Sequence, residues 1–311
     1  MTGKTTQHIL ELSAEEQKNF LDSFDVVFFD CDGVIWLIID PIPNTGPSIN
    51  LLKAVGKQCK FVSNNSMRTD AEYLEKFKSI GVENVKSEDV VYTTKAMVSY
   101  LKQHKPGEKV FSLCSQEANQ ILKANGIDFV TTPYREHWLT PEFVSKVNTS
   151  EKVGAVLFDY NLDLSYVGLA KANYYLKDPN CMLIAGGADV MVPVTKTFDT
   201  IGFLDFINHI SSNSNKEAVL MCKPSNALGE MLKQMFDIKE PKRCLFIGDS
   251  LINDVLFAKT CGFQTLYSLT GNGKKELMLQ AEGDAIPDYY VDSLADFIEF
   301  FAKMENRTKS D

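Results

Sequence analysis

The sequence has no C-x-x-C pair, no block of lysine and arginine, and no apolar run near the roughly 20 residues that cross a bilayer. Each absence excludes something. The seven cysteines, Cys31, Cys59, Cys114, Cys181, Cys222, Cys244 and Cys261, are odd in number and scattered, several of them inside apolar runs. Reduced, buried thiols are therefore expected, rather than disulfides or a zinc site. The histidines His8, His104, His137 and His209 show no ligand spacing. A formal charge of −9 without basic clusters argues against nucleic acid or an anionic membrane as partner. Met1 to His8 is polar and lacks the apolar core of a signal peptide, so a cytoplasmic location is expected. No G-x-G-x-x-G follows the first strand candidate, which weighs against a dinucleotide-binding oxidoreductase.

What is present is a set of short apolar runs that stop abruptly at polar residues. Val26-Val27-Phe28-Phe29 ends at Asp30-Cys31-Asp32-Gly33, and Lys60-Phe61-Val62 ends at Ser63-Asn64-Asn65. Val219-Leu220-Met221-Cys222 ends at Lys223-Pro224, and Cys244-Leu245-Phe246-Ile247 ends at Gly248-Asp249. Continuous apolar runs of this length suit strands buried on both faces, as in a parallel sheet. Helical patterns lie between them: Ser13 and Glu16 are spaced as a capping box, as are Thr69 and Glu72. Further helices are expected from Ser225 and from Leu251 to Lys259. This alternation predicts a doubly wound, mostly parallel α/β sheet.

With 311 residues, two domains are expected. The roughly 160 residues between Ser63 and Lys223 are too many for one connection and show their own strand–helix alternation. A second α/β domain is therefore expected at 95–210, inserted into a core made of 1–94 and 211–311. Ser211-Ser212-Asn213-Ser214-Asn215 reads as the return linker.

Polar groups thus follow four strands at the edge where open α/β sheets bind ligands. On an extended backbone Asp30 and Asp32 point the same way, and their repulsion calls for a cation or a shared proton. Turn chemistry is the other reading. Asp249 and Asp254 follow another strand, where a helix cap would explain Asp249 or Ser250. An all-oxygen site selects magnesium over zinc. Ser63 and Asn64 offer donors suited to phosphate oxygens or simply form a polar turn. Lys223 is either solvated or placed to neutralise a phosphoryl group.

Taken together, Phe29-Asp30-Cys31-Asp32-Gly33-Val34-Ile35-Trp36, Phe61-Val62-Ser63-Asn64-Asn65-Ser66, Lys223-Pro224-Ser225 and Gly248-Asp249-Ser250 with Asn253-Asp254 resemble the four motifs of the haloacid dehalogenase-like phosphatases. The wording is most similar to the eukaryotic 4-nitrophenylphosphatase branch, with phosphoglycolate and pyridoxal phosphate phosphatases. The resemblance implies a phosphomonoesterase with Asp30 as nucleophile and Asp32 as general acid and base. It implies magnesium on Asp30, the Asp32 carbonyl and Asp249, with phosphate held by Ser63, Asn64 and Lys223. Asp254 and Asn253 would act from behind these groups. The inserted domain would be a C2-type cap that reads a small phosphorylated metabolite and often pairs two copies as a homodimer. A phosphomutase, or a regulator that keeps the fold without catalysis, is the alternative.

The cap departs from the branch. Where Ala-Thr-Asn-x-Asp is usual, this chain has Ala185-Gly186-Gly187-Ala188-Asp189, and Asp199-Thr200-Ile201-Gly202 stands for Pro-Gly-Thr-Gly. Cys222 replaces the glycine before the motif lysine. Gly186, Gly187 and Asp189 are expected to shape substrate choice, either through a tight turn or through a roomier pocket.

Overall fold

The computed structural model describes residues 6–37, 39–132, 140–142, 145, 151–195 and 198–308. His137 lies outside the described residues, as do the side chains of the Asp199-Thr200 pair. Among the described residues the strands are β1 (Gln7–His8), β2 (Val26–Phe29), β3 (Gln58–Ser63), β4 (Val90–Tyr92), β5 (Val110–Leu113), β6 (Phe129–Val130) and β7 (Ala155–Phe158). They continue as β8 (Met182–Ala185), β9 (Met191–Thr195), β10 (Phe198–Ile201), β11 (Ala218–Leu220), β12 (Cys244–Gly248), β13 (Gln264–Ser268) and β14 (Tyr289–Val291).

The chain divides into two compact units. One comprises Met1–Ser63, Asp70–Val91 and Lys223–Asp311; the other comprises Asn64–Thr69 and Tyr92–Cys222. The first is built on a seven-stranded sheet in the order β1-β14-β13-β12-β2-β3-β4, parallel from β1 through β3. β2 and β12 are neighbours, with Phe29 opposite Ile247, so Asp30 and Asp249 leave the sheet at the same edge. All four residues of β2 are buried. Phe28 stacks on Phe263 with ring centroids 5.3 Å apart, and Phe29 stacks on Phe61 at 5.6 Å. Burial of such a ring contributes up to about 3 kcal/mol, which anchors the strand whose end carries Asp30. Ser13 and Glu16 form both halves of a capping box on the helix Ala14–Asp22, and Ile9–Glu11 before it is a single 3-10 turn.

The second unit holds a parallel five-stranded sheet, β11-β8-β7-β5-β6, and the β9–β10 hairpin. Its core packs Phe111, Val156, Phe158, Leu183, Phe203 and Ile207.

Two boundary expectations are corrected. Val219-Leu220 is not a strand of the Asp30 sheet but lies in β11, paired with β8 at the edge of the second sheet. Among the described residues three strands, β2, β3 and β12, therefore bring motif residues to the first sheet's edge, and Lys223 follows the end of β11 by three residues. The expected linker at 211–215 is the last turn of the helix Leu204–Ser214, closed by Asn215 in a left-handed conformation at φ 52°. Ser212 is exposed, Ser211 Oγ donates to the Lys216 carbonyl just past the helix, and Ser214 Oγ donates back to the Ile210 carbonyl at 2.7 Å. Polarity there reflects a surface helix rather than a flexible segment.

Candidate active site

β2 ends one residue before Asp30, β12 one residue before Asp249, and β3 at Ser63. Lys223 is 3 % exposed, and its ammonium donates to Asp30 Oδ1 at 2.6 Å and to Asp254 Oδ1 at 2.7 Å. Asp254 Oδ2 accepts the backbone N–H groups of Asp249 (3.1 Å) and Ser250 (2.9 Å). Asp254 can reach back this way because Leu251–Leu256 is a π-helical turn, with the Val255 N–H donating five residues back to Ser250. Gly248 leaves room for it: a Cβ there would lie 2.1 Å from the Asp254 Cβ. Asn253 contributes a backbone N–H to Ser250 Oγ at 3.1 Å, which caps the same turn.

Asp32 follows Asp30 by two residues. Its Oδ1 accepts the Trp36 indole N–H at 3.0 Å, and its Oδ2 is 3.5 Å from the Ser63 hydroxyl. The structure thus joins Asp30, Lys223, Asp254 and Asp249, and brings Asp32 to Ser63. Asn64 begins the Asn64–Thr69 segment of the second unit.

The electrostatics follow from burial. Desolvation pushes the Asp30 carboxyl well above its ordinary value; Lys223 opposes this, and Asp254 and Asp249 add to it. Asp249 is raised to about 7, first by burial and then by Asp254. Burial alone would lower the Lys223 ammonium, but Asp254 and Asp30 overcome it and hold it charged. One ammonium faces the three buried carboxylates of Asp30, Asp249 and Asp254, whose oxygens lie within 4.8 Å of one another. A hard divalent cation with oxygen ligands is what such an excess of negative charge fits. Both Asp254 oxygens are already engaged, whereas Asp30 Oδ2 accepts no hydrogen bond among the described residues.

A second group, His8 with Asp292 and Asp296, has similar spacing but does not suit a metal. His8 Nδ1 accepts the Leu10 N–H at 3.2 Å, so the ring proton sits on Nε2, the nitrogen facing Asp296 at 3.2 Å. A metal would need the lone pair at that nitrogen.

Sequence reasoning missed the loop after β13. Asn272 donates its N–H to Asp249 Oδ2 at 2.7 Å, and Thr270 Oγ1 donates to the Gly33 carbonyl at 2.6 Å. Gly271 has φ +55°, and a Cβ on it would meet Asp249 Oδ2 at 2.2 Å and Gly33 Cα at 2.5 Å. Gly271→Ala is therefore expected to destabilise the protein by about 2 kcal/mol or more, read by urea denaturation. A change under about 0.5 kcal/mol would show that the loop can yield.

The cap loop follows β8. Neither Gly186 nor Gly187 adopts a positive φ, so a tight glycine turn is not the reason for them. A Cβ on Gly186 would lie 2.4 Å from Asp159 Oδ2, and one on Gly187 would lie 2.4 Å from the Tyr160 ring. The glycines admit these two side chains, and the Tyr160 hydroxyl donates to Asp189.

This architecture is an α/β fold of mostly parallel sheets with acids gathered at one sheet edge. Residues 27–128 match the haloacid dehalogenase-like hydrolase family, and residues 220–297 match a HAD-hydrolase-like family. The chain is 34% identical to the 4-nitrophenylphosphatase of Schizosaccharomyces pombe, over 92% of this chain and 97% of the relative. It is 30% identical to the glycerol-3-phosphate phosphatase of Mus musculus, over 95% of this chain and 97% of the relative. The p-nitrophenyl phosphatase structure from Archaeoglobus fulgidus superposes with a TM-score of 0.74 at 25% identity, covering 89% of this chain and 99% of that one. The chain belongs to the haloacid dehalogenase-like hydrolases.

Proposed function

We propose that this hydrolase is a magnesium-dependent phosphomonoesterase that cleaves a small phosphorylated metabolite through a phosphoaspartate on Asp30. The observation that carries the reading is the buried Lys223 between Asp30 and Asp254, with Asp249 completing an all-oxygen group. Asp30 keeps one oxygen for attack on phosphorus while Lys223 holds the other, and a carboxylate needs no activating base. As the new O–P bond forms, the bond to the leaving oxygen breaks and Asp32 gives that oxygen its proton. Asp32 then takes a proton from the water that attacks the phosphoaspartate, releasing inorganic phosphate and restoring Asp30. The Trp36 indole fixes the carboxyl of Asp32 for both steps. Ser63, and Asn64 directly after it, would hold the equatorial phosphoryl oxygens, and Lys223 would offset their charge. Magnesium, held by Asp30, the Asp32 carbonyl and Asp249, would supply the remaining positive charge on those oxygens. Asp254 would orient Lys223 and, with the Asn253 turn, the backbone beside Asp249.

The relatives' names support 4-nitrophenyl phosphate as a test substrate and glycerol 3-phosphate as one metabolite to try, alongside phosphoglycolate and pyridoxal phosphate. Selection among them is assigned to the second unit, with Gly186, Gly187 and Asp189 in the loop that shapes it. A cytoplasmic homodimer paired through that unit belongs to the same reading. No helix among the described residues is long and apolar enough to cross a membrane.

The test is phosphate release from these esters with magnesium and after chelation by EDTA. Hydrolysis that needs magnesium is expected. Phosphoryl transfer with no free phosphate would point to a mutase, and no turnover of any ester would point to a non-catalytic protein.

A further inference from the structure

The second unit contains a charged side chain for which the proposed chemistry has no use. Asp159 follows β7, the middle strand of its sheet, and is fully buried. Its Oδ2 accepts the Thr93 hydroxyl at 2.7 Å, and its Oδ1 accepts the N–H groups of Tyr160 (2.8 Å) and Gly187 (2.9 Å). All three of these partners donate. A neutral core residue at this position would avoid desolvation, which here raises the carboxyl to about 6. What a carboxylate adds is simultaneous acceptance from several chain segments.

Those segments are informative. Thr93 opens the helix Thr93–His104. Tyr160 and Gly187 belong to the loops after β7 and β8, where Tyr160 also bonds Asp189. The glycines that distinguish this cap are shaped around the same group: a Cβ on Gly186 would strike the carboxylate.

We propose that Asp159 is a positioning residue for the phosphatase reaction, holding the Gly186–Asp189 loop in register with Thr93 at the start of the helix Thr93–His104. The inference rests on the function proposed above. Asp189 lies in the loop assigned to the leaving group, so one buried carboxylate fixes the loop on which leaving-group choice is proposed to depend.

The test compares Asp159→Asn, Thr93→Val and the double variant. Asparagine keeps the volume but turns an N–H2 toward at least one donor. Kinetics are measured with magnesium on 4-nitrophenyl phosphate and on a turned-over metabolite ester, normalised to the fraction of protein that traps beryllium fluoride on Asp30. Asp159→Asn is expected to lower kcat/KM at least 30-fold, with a different kcat-to-KM split for the two esters. Thr93→Val is expected to lower it about fivefold, and the double variant should match Asp159→Asn within twofold. A purely structural role would reduce only the trapping fraction and the melting temperature, equally for both substrates. Normalised kcat/KM within threefold of the unsubstituted protein, or single losses that multiply in the double variant, would overturn the proposal. If Asp159→Asn does not fold, Thr93→Val decides, and a value within twofold of the unsubstituted protein overturns it. Failure of the phosphatase reading would show separately, as absent phosphate release by the unsubstituted protein.

Discussion

Asp30→Asn is expected to remove turnover, lowering kcat by roughly 10⁴-fold or more, while leaving the protein folded and no less stable without metal. An amide cannot form the acyl phosphate, so neither phosphate release nor trapping by beryllium fluoride should survive. The stability half of the result follows from the charge cluster. The Asp30 carboxyl is raised by burial and by Asp254 and Asp249. A carboxyl whose folded pKa lies above its unfolded value favours the folded state in acid. That contribution is lost as pH rises through the folded pKa. At neutral pH, above the unfolded carboxyl's pKa, the raised Asp30 carboxyl in EDTA therefore opposes folding, and a neutral amide removes the opposition. Lys223 keeps Asp254 as its partner at 2.7 Å. The melting temperature in EDTA should equal or exceed that of the unsubstituted protein. Ordinary turnover in the variant would take the nucleophile role from Asp30. A strong fall in stability would mean that the Asp30–Lys223 contact outweighs the repulsion.

How much of this was legible in the sequence depended on whether the deciding contact was local. β2 and β12 were readable because strands buried on both faces are apolar at every position, and Asp30 and Asp249 are conspicuous where those runs stop. The same signal misassigned β11. Its three residues are only partly buried, and an apolar triplet does not say which of two parallel sheets it will join. The polar 211–215 stretch read as a linker because composition alone does not separate an exposed helix end from a loop. Gly271 was invisible for a different reason. Its neighbour Asn272 meets Asp249 across 23 residues, and nothing near Gly271 in the chain records that approach. Gly186 and Gly187 invited a turn argument because turns are where glycine is usually needed. Their actual neighbours, Asp159 and Tyr160, are 27 residues earlier and meet them only once β7 and β8 pair. Asp159 itself had a readable signal: it is an acid at the end of a buried strand, as Asp30 is.

Lys223→Met should be the most destabilising single change at the site. The methionine retains the unbranched stem beside the Phe246 ring, whose centroid is 5.4 Å from the ammonium. It removes the one charge that satisfies Asp30 and Asp254 at 2.6 and 2.7 Å. Breaking a buried ion pair by removing one partner typically costs about 3–5 kcal/mol, because the other partner stays buried and charged. A loss of that size is expected in urea denaturation with EDTA. Magnesium should recover part of it by supplying charge to the same carboxylates. The pH dependence has a defined sign. Asp30 is already raised with Lys223 present and should rise further without it. Protonation therefore relieves the variant more than the unsubstituted protein, so the stability gap narrows in acid and widens as pH rises through the Asp30 pKa. On catalysis, loss of a preorganised positive group facing the phosphoryl oxygens should lower kcat by about 10²–10³-fold even with saturating magnesium. A folded Lys223→Met protein within about 1 kcal/mol of the unsubstituted chain, and within tenfold in kcat, would show that the lysine holds neither the carboxylates nor the phosphoryl group.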